Sequence, residues 1–395
     1  MKRAKRNKGI IFLKILHIPL MLLLIALIIT VVNNLPEDAA NYYSETIFPY
    51  ISMIPNMIMD TTHISVTENL VVAGSLTLVI LLIMFIFILI KNLFRKKFWK
   101  VLYETGARVV ALGLVLTIIF ELMHGINYRR TSVLDHIRKE ERVDYTYEEM
   151  LDTFIWAYRG MVSSREKLGE DYAGVAHLQD GFENNVMYAN LLIDEFAAKE
   201  GIKVSPTYIR VKPVALSRYW SLTHIVGMYC PFLGESVVNT DYMNVYDFPV
   251  DLCHEIVHAK GFAREYDATS MAVLACLSSN RDDFRYSGFY RVYWDLYDDV
   301  FAYAESLGEK KPDFMDQKRL KAVYRDMDAE RDHWEFIDSM FKAKEISEVS
   351  SKANNTFLEA NGQAGGVKTY KVPVNIYVDY YLKLKREKDA RDKTY

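Results

Sequence analysis

The chain has 395 residues, a formal net charge of −3 and three cysteines. A near-neutral balance with no basic stretch carrying stacking aromatics excludes the usual nucleic-acid binders. Three scattered cysteines, Cys230, Cys253 and Cys276, exclude a disulfide framework. The length allows one large domain or two small ones. The composition is split, with long apolar runs in the first third and a charged, tyrosine-rich remainder.

Three apolar segments come first, at about 10–32, 70–90 and 107–126. Each approaches the ~20 residues that a helix needs to cross a bilayer. The first is too long for the apolar stretch of a secretion signal and has no small-x-small cleavage site after it, so it reads as a retained helix. The third carries Glu121 and His124 near its end. The opening 2–8 is basic, the loop from Asn33 to Asn69 has no Lys or Arg, and the connection Lys91–Lys100 is basic again. This alternation puts the N-terminus in the cytoplasm and everything after the third crossing outside, against a mild contrary signal from Arg129 and Arg130. The expected division is a transmembrane region over 1–130 and an extracytoplasmic domain over 131–395, with the lipid bilayer as a partner.

In the second region, Asp144–Met161, Leu191–Glu200 and Asp282–Tyr303 have helical spacing of apolar residues. The aromatic stripe of the last, from Tyr286 to Tyr297, reads as core packing. Lys203–Leu216 and His224–Cys230 read as extended. Ser236–Thr240 has the β-branched content of a strand, either an ordinary core strand or a sheet edge that holds an extended peptide. Glu345–Val367, rich in Asn, Gly, Ser and Lys, reads as loop, and the tail from Lys383 as a solvated helix or a disordered end. Cys253 and Cys276 read as small buried apolar residues. There is no internal repeat and no glycine-rich phosphate loop.

The most informative stretch is His254-Glu255-Ile256-Val257-His258. On a helix, residues four apart share a face, so His254 and His258 can offer two imidazoles to one metal ion. Glu255 stands where a carboxylate can take a proton from a metal-bound water. A third ligand must come from beyond the helix. Glu265 is seven residues past His258, a rise of ~10.5 Å on a straight helix and too far for one ion. Gly261 supplies a helix end. A turn there sends a second helix back, with Glu265 or Asp267 facing the histidines. Two histidines, one carboxylate and a water form the open tetrahedral site of catalytic zinc.

Glu265-x-x-Ala268-Thr269 resembles the second-helix signature of gluzincin metallopeptidases. That resemblance implies Glu265 as the zinc-binding glutamate and a supporting residue at 269, where an Asp or Asn is usual and this chain has Thr269. More broadly the chain resembles domain-of-unknown-function family 3810 (DUF3810), bacterial membrane proteins with an HExxH signature. Four elements carry the likeness: Asn127-Tyr128-Arg129-Arg130, the PF-x-GE-x-x-VN pattern over Pro231–Asn239, the metal segment His254–Glu265, and Arg285-Tyr286-Ser287-Gly288. Tyr266–Thr269 departs from the family's more acidic stretch ending in Asn.

The expected fold class is α+β: a bundle of three transmembrane helices followed by a mostly helical zincin-like domain with a small sheet. The expected function is a membrane-anchored zinc metallopeptidase acting outside the cell on a peptide, protein or cell-wall peptide. Its metal ligands are His254, His258 and Glu265, its general base is Glu255, and His224, Tyr286 and Arg285 are candidates to stabilise the oxyanion. A zinc-dependent cell-wall amidase would use the same site. A metal-binding sensor or scaffold without hydrolytic activity is the reading from outside the enzymes, and the presence of Glu255 weighs against it.

Overall fold

The computed structural model describes residues 2–94, 97–138, 145–309 and 314–392. The expectations that touch Met1, Arg95, Lys96 and Asp144 lie outside the described residues. Apolar length dictates the first part. α1 (Lys2–Asn33) is followed by α2 (Glu37–Tyr42), a π turn over Tyr43–Ile47 and α3 (Phe48–Asp60), and then by α4 (Val66–Phe94) and α5 (Phe98–Met123). Of these, α1, α4 and α5 are long and apolar enough to cross a membrane. The third helix differs from its expected limits of 107–126. It starts at Phe98, nine residues before the apolar run, and an exposed i,i+4 pair of Lys100 and Glu104 lies in this added part. It stops at Met123, and His124 opens a 3₁₀ turn over Gly125–Arg129.

After α6 (Val133–Ile137), α7 (Tyr147–Arg165) starts at a capping box between Thr146 and Glu149. α8 (Phe182–Glu200) stops at Gly201 in the left-handed conformation. Next come β1 (Lys212–Pro213), α9 (Ser217–Trp220), β2 (Gly227–Cys230) and β3 (Glu235–Val238). The strands form a mixed sheet in the order β1-β3-β2, with β1 parallel and β2 antiparallel to β3. Two corrections follow. Within the stretch 203–216 read as extended, only Lys212–Pro213 pairs as strand. The strand at Ser236 is the central one, paired along its length by β2 and at Val237 and Val238 by β1, and is the core strand and not the peptide-holding sheet edge.

α10 (Phe248–Ala259) and α11 (Glu265–Ser278) lie at the centre, and α11 is buried on every side. α12 (Asp282–Ser306) packs along α7 through the aromatic stripe, where Phe154 stacks on Tyr293 at 4.9 Å. Cys253 and Cys276 are buried free thiols in this core. α13 (Gln317–Asp338), α14 (Ala343–Ala360) and α15 (Val374–Asp392) complete the chain, so the tail from Lys383 is helical to Asp392. α14 overturns the loop expected over 345–367 as far as Ala360, while 361–365 is turn and a 3₁₀ turn runs from Gly366 to Tyr370. The inner stripe of α14 is Ala343, Ser347, Ser350, Asn354 and Leu358, a helical repeat of mostly small and polar residues that composition alone reads as loop.

The apolar helices and the rest share a buried polar joint. Glu235 accepts hydrogen bonds from Val66 N (3.0 Å) and Thr67 N (2.5 Å), the free donors at the start of α4. It also pairs with Lys212 Nζ at 2.6 Å, and both side chains are fully buried. Glu68 accepts from the backbone N–H groups of Ala215 and Leu216. Arg130 donates to Gly261 O and Lys203 O, both at 2.8 Å. Glu235→Ala leaves the buried Lys212 ammonium without its counter-charge, with only Thr62 Oγ1 and Ile64 O to accept from it, and breaking a buried pair in this way costs about 3–5 kcal/mol. Thermal unfolding of the detergent-solubilised chain will show that loss for Glu235→Ala and a smaller one for Glu235→Gln, which keeps an acceptor for the α4 donors. Equal midpoints for all three proteins contradict this account of the joint.

Candidate metal centre

α10 ends where its sequence runs out of permissive backbone. Lys260 is fully buried, with Nζ on Asp194 and on the carbonyls of Ser205 and Thr207, so the chain is pinned there. Gly261 then takes φ 108°, a left-handed value that disfavours any residue with a Cβ. A Cβ at this position would also meet the Phe48 ring at 3.0 Å. The reversal brings the first residue of α11, Glu265, against the histidine face of α10.

The three expected ligand atoms meet. His254 Nε2 and His258 Nε2 are 2.9 Å apart, and each is 3.2 Å from Glu265 Oε2. The edge of a tetrahedron around zinc with bonds of ~2.0 Å is about 3.3 Å. The triangle therefore has the size of one face of a zinc site. Among the described residues this is the one group of three or more His, Cys, Asp or Glu side chains arranged to hold a metal ion. Asp267 is turned away, because residues two apart on a helix point about 200° apart. It accepts instead from Ser132 Oγ, Val133 N and Arg264 Nε.

The outer nitrogens of both histidines are engaged. His258 Nδ1 is 2.7 Å from Phe262 O, and His254 Nδ1 is 3.1 Å from Thr269 Oγ1. Hydrogen bonds of this kind fix the ring and leave Nε2 directed inward. Thr269 thus fills the supporting place with a hydroxyl instead of a carboxylate. Burial opposes ionisation of Glu265, but the His258 and His254 rings outweigh it and hold the carboxyl well below its usual range. Burial pushes Glu255 up to about 8 against the lowering influence of His258. Glu255 Oε2 is buried without a hydrogen-bond partner, while Oε1 lies 2.5 Å from where a Cβ at Gly227 would stand. The sheet edge that approaches the metal helix is therefore β2, at a residue without a side chain.

Two expected participants are elsewhere. His224 has its Nε2 on Asp338 at 2.9 Å and its ring stacked on Trp334. The Tyr286 hydroxyl donates to Asp326, which also takes a two-point pair from Arg165 in the core. Both polar ends are committed, and neither faces the histidines. Arg285 has its guanidinium over the Phe289 ring.

The site's actual neighbours come from distant segments. His124, just past α5, has its ring 6.0 Å from that of His258 and its Nε2 3.2 Å from the Tyr128 hydroxyl. Burial, and then His258, push His124 down to about 3, so its ring is neutral. Tyr370 lies over His254 with ring centres 6.0 Å apart. Gln363 Oε1 accepts from Glu265 N, and its Nε2 is buried without a partner. In the sequence, His124 stands out as a polar residue near the end of the third apolar segment and Tyr128 falls in the NYRR element, while nothing singles out Gln363 or Tyr370.

The Thr269 contact yields a direct test. Thr269→Val removes the hydroxyl at similar volume, and loss of such a partner lowers metal affinity by about 10–100-fold. Competition with a fluorescent chelator measures this on the purified chain. Unchanged affinity contradicts a supporting role for Thr269.

Comparison with curated proteins and with solved structures finds no match. One family model matches, over residues 43–378, and it spans the joint, the sheet and all three ligand positions. On that match the chain belongs to the DUF3810 family, proteins of unknown function.

Proposed function

We propose that the chain is a membrane-anchored zinc metallopeptidase with a zincin-like domain, hydrolysing peptide bonds without a covalent intermediate. The observation that carries this reading is the triangle of His254, His258 and Glu265 with Glu255 beside it. Two imidazoles and a carboxylate are a donor set used by catalytic zinc, in which the fourth position stays open. Glu255 follows the ligand His254 in the chain and is buried, with Oε2 free of any hydrogen-bond partner, so it would be available as the acceptor for a proton from metal-bound water.

His254, His258 and Glu265 would hold the ion. Bound there, zinc supplies Lewis-acid polarisation of water and of a substrate carbonyl. Glu255 is the general base. Burial alone keeps its carboxyl protonated near neutrality, and a neighbouring cation draws it back toward the carboxylate. That tuning suits a group that takes a proton from water and returns it to the leaving amine. Tyr128, whose hydroxyl is 3.2 Å from His124 Nε2, and Tyr370, whose ring lies over that of His254, replace His224 and Tyr286 as candidates for the oxyanion.

The enclosure of the site supports one second reading, a metal-holding sensor or scaffold. His254, His258 and Glu265 are only 8%, 6% and 7% exposed, and Gln363 and Tyr370 lie over them. Glu255→Gln separates the two. It leaves the ligands intact, so metal content stays at the wild-type level. Hydrolysis of any peptide or cell-wall peptide that the wild-type chain cleaves falls by a factor on the order of 10²–10⁴. Wild-type turnover by Glu255→Gln contradicts the mechanism, and a chain that holds zinc yet cleaves nothing across a diverse peptide library favours the sensor.

The orientation belongs to the same proposal. Basic ends around the first and second spans and a loop without Lys or Arg between them support a cytoplasmic N-terminus and an extracytoplasmic metal domain. A reporter fused at the C-terminus should be active outside the cytoplasm. Activity of a cytoplasm-only reporter there contradicts this topology.

A further inference from the structure

The helix α3 is built the wrong way round for water. Its inner stripe is Phe48, Ser52 and Asn56, all buried, so two of the three inward positions are polar. Its outer face carries Tyr50, Ile54, Met57 and Ile58, which are 71%, 62%, 59% and 55% exposed, together with Met53. A surface helix of a water-soluble protein shows the opposite pattern, and an apolar face of this size calls for an occupant.

The surroundings say what covers it. α3 lies in the loop that joins α1 to α4 and packs against α5, so it sits beside one of the three helices apolar enough to span and is joined through the chain to the other two. The loop's acids avoid the apolar face. Glu37 accepts from Thr131, Glu45 pairs with Lys203, Asp60 pairs with Arg210, and Glu68 caps the backbone at Ala215 and Leu216. Asp38, the remaining acid, is exposed at the start of α2. The loop contains no Lys or Arg. Charge is thus drawn to the metal domain and apolar surface is left facing the space beside the spans.

We propose that α3 is an interfacial helix, with its outer face seated in the lipid leaflet on the metal domain's side of the bilayer. A helix of this type lies in the membrane plane with its apolar face sunk ~5–10 Å into the headgroup and acyl boundary. The consequence for the metal centre is geometric. Phe48, on the inner face of α3, touches the Gly261 turn that aims Glu265. His124, one residue past α5, reaches His258. The metal centre then works at the lipid surface, and the substrates it meets are those attached to or lying on that surface. The placement of α3 rests on the three spans entering a bilayer and not on the zinc chemistry, while the consequence for substrates rests also on the proposed hydrolase reading.

Depth-dependent quenching tests it. Ile54→Cys and Met57→Cys are made separately in the full chain, labelled with an environment-sensitive fluorophore and reconstituted into phosphatidylcholine–phosphatidylglycerol vesicles. Cys253 and Cys276 are buried and Cys230 is half-buried, and the unsubstituted chain sets the labelling background. Leu81→Cys within α4 and Tyr172→Cys on the exposed surface of the metal domain serve as references. Both α3 labels should lose most of their emission to lipids with a nitroxide near the headgroup, and should resist aqueous iodide. Leu81 should respond to a nitroxide deep in the acyl chain, and Tyr172 to iodide alone. If Leu81 behaves as expected while both α3 labels are quenched by iodide, the spans stand and the interfacial helix is overturned. Protection of the α3 labels from both quenchers also overturns it, because protein and not lipid then covers the face. Silence at Leu81 toward lipid nitroxides removes the spans and the proposal together.

Discussion

The proposed metal centre depends on a single reversal of the backbone at Gly261. His254 and His258 share a face through helical spacing alone, but the third ligand cannot reach them along a continuous helix. The left-handed φ of 108° turns the chain so that α11 begins with Glu265 opposite the imidazoles. The same turn presents Phe262 O to His258 Nδ1 and so orients that ring. Arg130 holds the Gly261 carbonyl, and its guanidinium lies 3.8 Å over the Phe262 ring. A residue just past the third apolar helix therefore fixes the geometry of the ligands.

Two neighbouring acids on α11 divide the work. Glu265 faces the histidines. Asp267, about 200° further round the helix, binds Ser132 and Val133 where the chain leaves α5 for α6. Together with Glu235 on the start of α4, it makes the metal domain and the apolar helices one connected body. Buried ionic groups of this kind contribute little net stability but are costly to break singly. Their role here is to hold the arrangement: Glu235 meets both the free donors of α4 and the Lys212 ammonium, and few other packings satisfy all of those groups.

Local patterns were legible in the sequence and distant partners were not. The long apolar helices follow from apolar length, and the two histidines and the aromatic core stripe from periodicity; the glycine after His258 points to a third ligand on the next helix, Glu265 or Asp267, and the resemblance to gluzincins implies Glu265. His224 and Tyr286 were selected by residue type, which does not reveal that Asp338 and Asp326 already hold their polar ends. The central place of the strand at Ser236 depends on pairing with Lys212–Pro213, a contact that β-branched content cannot signal. α14 hid behind a stripe of small and polar residues. His124, Gln363 and Tyr370 reach the site only through tertiary packing, from positions about a hundred or more residues away from the ligands they approach.

The most direct test of the account is the composition of the metal site in the purified full chain. Elemental analysis joined to X-ray absorption at the zinc edge reads both stoichiometry and donors. The account predicts one zinc per chain with two imidazoles and one carboxylate oxygen from the protein, and loss of that signal in Glu265→Ala but not in Asp267→Ala. A chain that takes up no zinc, or one that keeps it in Glu265→Ala, would contradict the account.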